Sequence, residues 1–235
     1  MTGYASLSRV AIAHAQPSST SGDCARVSTG RGGETVCFLG DVAGHGPEAA
    51  ALARDLEARV ARLAGILPCG ALLGALNAAV ESTWPTDRFV SAVCFAYDAW
   101  TGRGAVAVAG QLPPFIKRMG ATYPLEVVAG PALGLLPHQR YPQSEFFLAP
   151  GDVLVAVTDG VTDALATPRD LLGVDAAARV VDRSPPESNQ ICASLLEIAG
   201  AQGFRDDATI LVAAHRPFEM GLAYPWQQVS AGGAP

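Results

Sequence analysis

Four aspartates stand where apolar segments meet turns: Asp23, Asp41, Asp159 and Asp206. Asp41 closes the run Thr35 to Leu39 and leads into Val42-Ala43-Gly44-His45-Gly46-Pro47. Asp159 follows the apolar run Val153 to Val157 and hands the chain to Gly160. Asp206, within Arg205-Asp206-Asp207-Ala208-Thr209, precedes the apolar run Ile210 to Ala214. Asp23 follows Gly22 at the head of the strand-like segment Cys24 to Ser28. Thr29 to Gly33 reads as a hairpin turn, which brings Asp23 and Asp41 to the same end of neighbouring strands. Two carboxylates so placed repel unless a cation joins them. An oxygen-only set without His or Cys suits magnesium or manganese and is poor for zinc. Two such ions about 3.5–4 Å apart bind a phosphate and activate a water. The chemistry implied is in-line hydrolysis of a phosphoester without a covalent enzyme intermediate. No glycine-rich loop ends in Gly-Lys-Ser/Thr, so a Walker-type ATPase lacks its lysine, and no Gly-x-Ser-x-Gly elbow is present.

Composition narrows the field. The 235 residues, 49% hydrophobic and 16% charged, suit one domain with ample core. A net charge of −6 argues against a general nucleic-acid binder. No apolar run is long enough to span a bilayer, and Met1 to Arg9 lacks the pattern of a signal peptide. The five cysteines form no CxxC pair and read as small buried apolar residues of a reducing, cytoplasmic protein.

The acids need elements to hold them. Ser6 to Ala15, Cys24 to Ser28, Thr35 to Asp41, Phe89 to Asp98, Ala105 to Ala109, Phe115 to Met119, Tyr123 to Val128, Ser144 to Leu148, Val153 to Val157 and Ile210 to Ala214 read as strands. Pro47 to Ala64 reads as a helix with Leu52, Leu56, Val60 and Leu63 on one stripe. Gly70 to Trp84 reads as a second, with Leu72, Leu73, Leu76 and Val80 inward. Asp170 to Val181 and Pro186 to Ala199 are helical by pattern. Asp163 is expected to cap a helix, and Asp152 to serve a turn. Short strands with grouped helical pairs indicate an α+β fold with mainly antiparallel sheets.

The segments GDVAGHGPEAA (40–50), PGDVLVAVTDGVTDA (150–164) and DDATILVA (206–213) resemble, in order and context, the three diagnostic motifs of the PPM, or protein phosphatase 2C, metal-dependent serine/threonine phosphatases. More narrowly they resemble the bacterial SpoIIE-like branch, from about Ser6 to Ala214. The resemblance implies a β-sandwich of two antiparallel sheets flanked by helical pairs, as a phosphatase domain over 1–215 with a tail over 216–235. It implies two Mn2+ or Mg2+ ions, with Asp41 bridging both and the Val42 carbonyl as a backbone ligand. Asp159 and Asp206 hold the second ion, Asp23 is a ligand or lies just behind one, and Asp207 orients a ligand or water. The nucleophile is a water. The implied substrate is a phosphorylated protein, typically a STAS-domain anti-sigma-factor antagonist, and the helical pair over Pro47–Trp84 is linked to activation in the branch. With no fused sensor expected, the chain is similar to stand-alone stress-signalling phosphatases.

Two positions depart from the branch's pattern: Arg26 stands where a further acid is usual, and Ser21 where a glycine is. His45 lies farther from Asp41 than the histidine of Asp-Gly-His relatives and is read as structural. His14, His138 and His215 are read as ordinary strand or loop residues. The competing readings are a non-catalytic phosphoprotein-binding regulator of the same fold and a small-molecule phosphoesterase.

Overall fold

Strands buried on both faces read as unbroken apolar runs, and this chain builds its framework from them. The computed structural model describes residues 5–7, 10–15 and 20–215, with side chains for 10–15 and 20–215, so the expected tail over 216–235 lies outside the described residues. In order the elements are β1 (Ala5–Leu7), β2 (Val10–Ala15), β3 (Asp23–Thr29), β4 (Thr35–Val42), α1 (Gly46–Leu63), α2 (Cys69–Thr83), β5 (Val90–Tyr97), β6 (Arg103–Ala109), β7 (Phe115–Arg118), β8 (Ala121–Pro124), β9 (Ala129–Gly130), β10 (Ser144–Phe147), β11 (Val153–Val157), α3 (Asp159–Leu165), α4 (Val174–Arg183), α5 (Ser188–Gln202) and β12 (Ala208–Ala214).

Two sheets form. One runs β1-β2-β12-β11-β7-β8; the other runs β10-β6-β5-β4-β3, with β9 beside β6. The pairings are antiparallel except β6 with β9, which is parallel. Alternation along single strands decides which layer each residue enters. In β4, Val36 and Phe38 pack towards α1 and α2, while Cys37 and Leu39 pack between the sheets. In β12, Ile210 and Val212 pack towards α3–α5, and Leu211 and Ala213 pack between the sheets. The result is the expected four-layer order of helices, sheet, sheet and helices, with three apolar interiors.

α1 begins with Pro47 in its first turn, where a missing N–H costs no intrahelical bond. Its buried face is Ala49, Ala50, Ala53, Leu56 and Val60; Leu52 and Leu63 are only partly buried. α2 buries Leu72, Leu73, Leu76 and Val80 as its pattern indicates. Asp55 Oδ2 binds α1 to the end of α2, accepting from Arg59 Nε at 2.7 Å and from Trp84 Nε1 at 2.9 Å.

Several local expectations are corrected. Ser6 to Ala15 is two strands paired antiparallel, not one. The segment after β11 is a short helix, α3, and Asp163 lies inside it rather than capping it. α4 starts at Val174, because Gly173 takes a left-handed conformation just before it. Asp152 is more than a turn residue: it is buried, and its Oδ2 accepts from Arg118 Nε at 2.8 Å, Arg118 Nη2 at 2.6 Å and the Ala149 amide at 2.7 Å. The five cysteines are buried and free, as expected.

A buried lysine closes α4. Lys117 Nζ, on β7, donates to the carbonyls of Val181 at 2.6 Å, Asp182 at 2.9 Å and Ser184 at 2.5 Å. The cation meets the negative end of the helix; the Val181 carbonyl also accepts from the Ser184 amide at 3.2 Å, so the lysine adds to the backbone cap there. Replacing Lys117 with Met keeps the stem but removes all three donors. This variant should lose roughly 1.5–3 kcal/mol of stability, the range for hydrogen bonds to a charged group. Urea unfolding checks it, and an unchanged midpoint would show that the clamp contributes nothing.

Candidate metal centre

The four acids named by the sequence gather at one end of the sandwich. Asp23 and Asp41 are direct cross-strand partners in β3 and β4. From the other sheet, the β11–β12 pairing of Val157 with Ile210 brings the end of one strand to the start of the next. Thr158 and Asp159 therefore lie near Asp206 and Asp207. The Thr158 amide donates to the Thr209 carbonyl at 3.0 Å and extends that junction.

Hydrogen bonds cross between the sheets here. Asp23 Oδ2 accepts from Thr158 Oγ1 at 2.9 Å and from Thr209 Oγ1 at 2.6 Å. Asp207 Oδ2 accepts from the Gly22 amide at 2.9 Å, and the Gly22 carbonyl accepts from the Val42 amide at 3.1 Å. Close approach demands small residues at two points. A Cβ on Gly22 would come within 3.0 Å of the Val42 carbonyl oxygen, and a Cβ on Gly160 would collide with the Asp207 carbonyl. Asp207 is buried and tied to backbone, while Asp206 is exposed, with its Oδ1 accepting from the Asp207 amide at 2.8 Å.

The acids disturb one another. Burial, then Asp159 and Asp206, push the Asp41 carboxyl up to about 7. Burial and Asp41 push Asp23 well up, against the two threonine hydroxyls, which pull it down. Burial, Asp163 and Asp206 raise Asp159. None of the salt bridges among the described residues engages Asp23, Asp41, Asp159 or Asp206. Asp23 Oδ1 is buried and meets no donor from the rest of the protein; the Asp41 carboxyl lies within hydrogen-bond reach of Asp23, and two acids so placed are held together only by a shared proton or a cation. Among the described residues, no three His, Cys, Asp or Glu side chains already stand together at ligand spacing; carboxylates that close would repel strongly. An all-oxygen donor set, uncompensated charge and a buried orphan oxygen together fit a hard divalent cation.

The remaining nominated residues fall around this cluster. Val42 is fully buried and pairs with Val90 of β5. His45 is exposed at the N-terminal boundary of α1 and makes no capping bond with its side chain. Arg26 reaches Glu57 of α1 at 3.7 Å, with both side chains at least one-third exposed, so the pair contributes little. Arg88 was not singled out by the sequence. Its Nη1 donates to the Ala43 carbonyl at 3.1 Å and its Nη2 to Glu48 at 2.8 Å, fastening the loop that follows Asp41. Thr158, Thr209 and His14 were also missed as site residues. The sign available was that a threonine lies beside or close to an acid in both VTDG and DDAT.

A cavity of about 210 Å³ opens beside Asp23, next to Ser21 and the α1 residues Ala50, Arg54 and Glu57. A larger one of about 760 Å³ lies by Gly32, Tyr97 and Arg103. Tyr97 pairs with Thr35 whereas Asp41 pairs with Ser91, so that cavity is at the opposite end of the sheet from the acids.

Comparison with known proteins places this arrangement. A comparison with curated proteins returned no match. Among solved structures, the RsbU and RsbW domains of a Mycobacterium tuberculosis protein are similar at 22% identity and a TM-score of 0.75, over 89% of this chain and 62% of that one. The PP2C phosphatase domain with a regulatory fragment of SpoIIE from Bacillus subtilis is similar at 17% identity and a TM-score of 0.76, over 88% of this chain and 62% of that one. RsbX in complex with magnesium is similar at 16% identity and a TM-score of 0.69, over 91% of this chain and 99% of that one. The chain thus spans under two thirds of the length of the first two, and these likenesses establish the fold. The model of the family described as Stage II sporulation protein E (SpoIIE) matches residues 31–216. That match covers most of the chain and contains Asp41, Asp159 and Asp206; the chain belongs to the SpoIIE family.

Proposed function

We propose that this protein is a metal-dependent protein phosphatase acting on phosphoserine and phosphothreonine. The observation that carries the reading is the uncompensated carboxylate cluster around the orphan oxygen of Asp23. Family membership and the magnesium held by RsbX support it.

In this reading Asp41, the Val42 carbonyl, Asp159 and Asp206 would hold a pair of Mn2+ or Mg2+ ions, and Asp23 would contribute from behind or directly. Bound there, the ions would neutralise the phosphate charge and activate an attacking water. The chain's own part is positional. Cross-strand pairing presents Asp41 and Asp23 side by side, and the β11–β12 junction presents Asp159 and Asp206 opposite them. Asp207 holds Gly22 and so fixes the entry to β3. Arg88 fixes the loop after Val42. The proposed substrate is a phosphorylated STAS-domain regulator, the class that the resemblance to the SpoIIE-like branch implies. No helix among the described residues is long and apolar enough to cross a membrane, and the reading places the protein in the cytoplasm.

Three outcomes are expected. With manganese, the protein should hydrolyse para-nitrophenyl phosphate and, more efficiently, a phosphorylated STAS protein; absent turnover of the latter would remove the proposed partner class, and a preference for the small ester would favour a small-molecule phosphoesterase. Asp41→Asn should lower turnover by about 100-fold or more, at or beyond the upper end for outer partners of a metal, and wild-type rates in that variant would overturn the mechanism. The third concerns pH. Asp41 binds its proton up to about 7 in the folded chain but releases it near pH 4 when unfolded. The folded state therefore binds more protons across that window, and metal-free stability falls as pH rises through it. Melting measured without metal should show a steeper loss between these pH values in wild type than in Asp41→Asn, with Mn2+ opposing the loss. Parallel curves for the two proteins would contradict the cluster's electrostatics.

A further inference from the structure

We infer that Thr158, Thr209 and His14 are positioning residues that aim the Asp23 carboxylate at the cation, one oxygen tied to the opposite sheet and the other left facing the acids. The inference rests on the metal reading above.

Asp23 lies in the β3-bearing sheet, and its three supporters come from the other sheet. Thr209 of β12 is the cross-strand partner of His14 of β2, and the Thr209 amide donates to Thr158 Oγ1 at 2.8 Å. A hydroxyl has one proton to give. With Asp23 ionised, Thr158 and Thr209 both direct theirs at Oδ2, at 2.9 and 2.6 Å. His14 Nδ1 lies 2.9 Å from Thr209 Oγ1. Since that hydroxyl's proton is already directed at Asp23, Nδ1 must be the donor, which fixes the tautomer. The relay is therefore His14 to Thr209 to Asp23, with Thr158 alongside. Thr158 and Thr209 are fully or almost fully buried, so water cannot replace either donor.

Two hydrogen bonds on one oxygen fix the rotation of the carboxylate plane. That rotation determines where Oδ1 points, and Oδ1 is the buried oxygen that meets no donor from the rest of the protein. Hydrogen bonds that orient a ligating carboxylate usually contribute 10–100-fold to metal affinity. A role confined to joining the sheets would affect melting and leave affinity in the folded protein untouched.

The test is Mn2+ titration calorimetry on the full chain without substrate, beside metal-free melting curves. Thr209→Val keeps the shape and removes the donor, and should weaken Mn2+ binding by about tenfold. Thr209→Ser should restore most of the affinity. His14→Leu should weaken binding, and His14→Asn, whose amide nitrogen can stand in for Nδ1, should restore it. With Mg2+ bound, so that Asp23 is ionised, nitrogen NMR should find the His14 proton on Nδ1. If Thr209→Val fails to fold, Thr158→Val tests the same oxygen from the junction of β11 and α3. A folded valine variant that binds Mn2+ like wild type overturns the relay, as does a serine variant no better than valine. Failure of the unaltered chain to bind Mn2+ is a different result, because it overturns the metal reading itself.

Discussion

Four carboxyl groups must be held near one another with no salt bridge among the described residues to neutralise them. That electrostatic constraint explains most of what surrounds the site. Two nearby arginines are directed elsewhere: Arg26 to Glu57, and Arg88 to Glu48 and the Ala43 carbonyl. The groups that do touch the acids are neutral donors, namely two threonine hydroxyls and backbone amides. Neutral donors can fix a carboxylate in space without cancelling its charge, so the negative potential is preserved for an outside ion. A salt bridge in the same place would stabilise the empty site and compete with the ion for it.

The sandwich makes such crowding tolerable. The acids sit where strands end, and the strands are anchored by interiors on both faces, with Leu39, Phe95, Leu154 and Leu211 between the sheets. Burial of each large apolar side chain contributes roughly 1.5–3 kcal/mol, so several of them outweigh the repulsion at one edge. Asp23 spans the two sheets directly. Its hydrogen bonds turn the relative placement of the sheets into the placement of a single oxygen.

Much of this was legible in the sequence because it is local. Apolar runs ending in Asp41 and Asp159 announced strands buried on both faces, and the hairpin at Thr29 to Gly33 put Asp23 across from Asp41. The stripe Leu72, Leu73, Leu76 and Val80 named the inward face of α2 correctly. What could not be read was non-local or too short. α3 has only seven residues, and its small and β-branched side chains do not declare a helical period. The start of α4 was misplaced because Leu171 and Leu172 imitate an amphipathic pattern although both are exposed. Thr158, Thr209 and His14 looked like ordinary β-formers, because their hydroxyl and ring bonds exist only once two sheets meet. Asp152 looked like a turn residue for the same reason, since its partner Arg118 lies 34 positions away.

The buried cysteines give the molecule an internal reporter. Cys37 lies between the sheets, Cys24 and Cys94 lie on strands under α1 and α2, Cys69 opens α2, and Cys192 is on the buried face of α5. Burial pushes the Cys24, Cys37 and Cys192 thiols up, Cys192 to about 12, and the neighbouring Cys69 together with burial raises Cys94, so none of these four is nucleophilic while its layer is closed. Alkylation must wait for local opening, and the order in which the positions become labelled would record which layer breathes first. The chain thus carries a stopwatch in each of its three interiors, and the one at Cys24 runs directly beside Asp23.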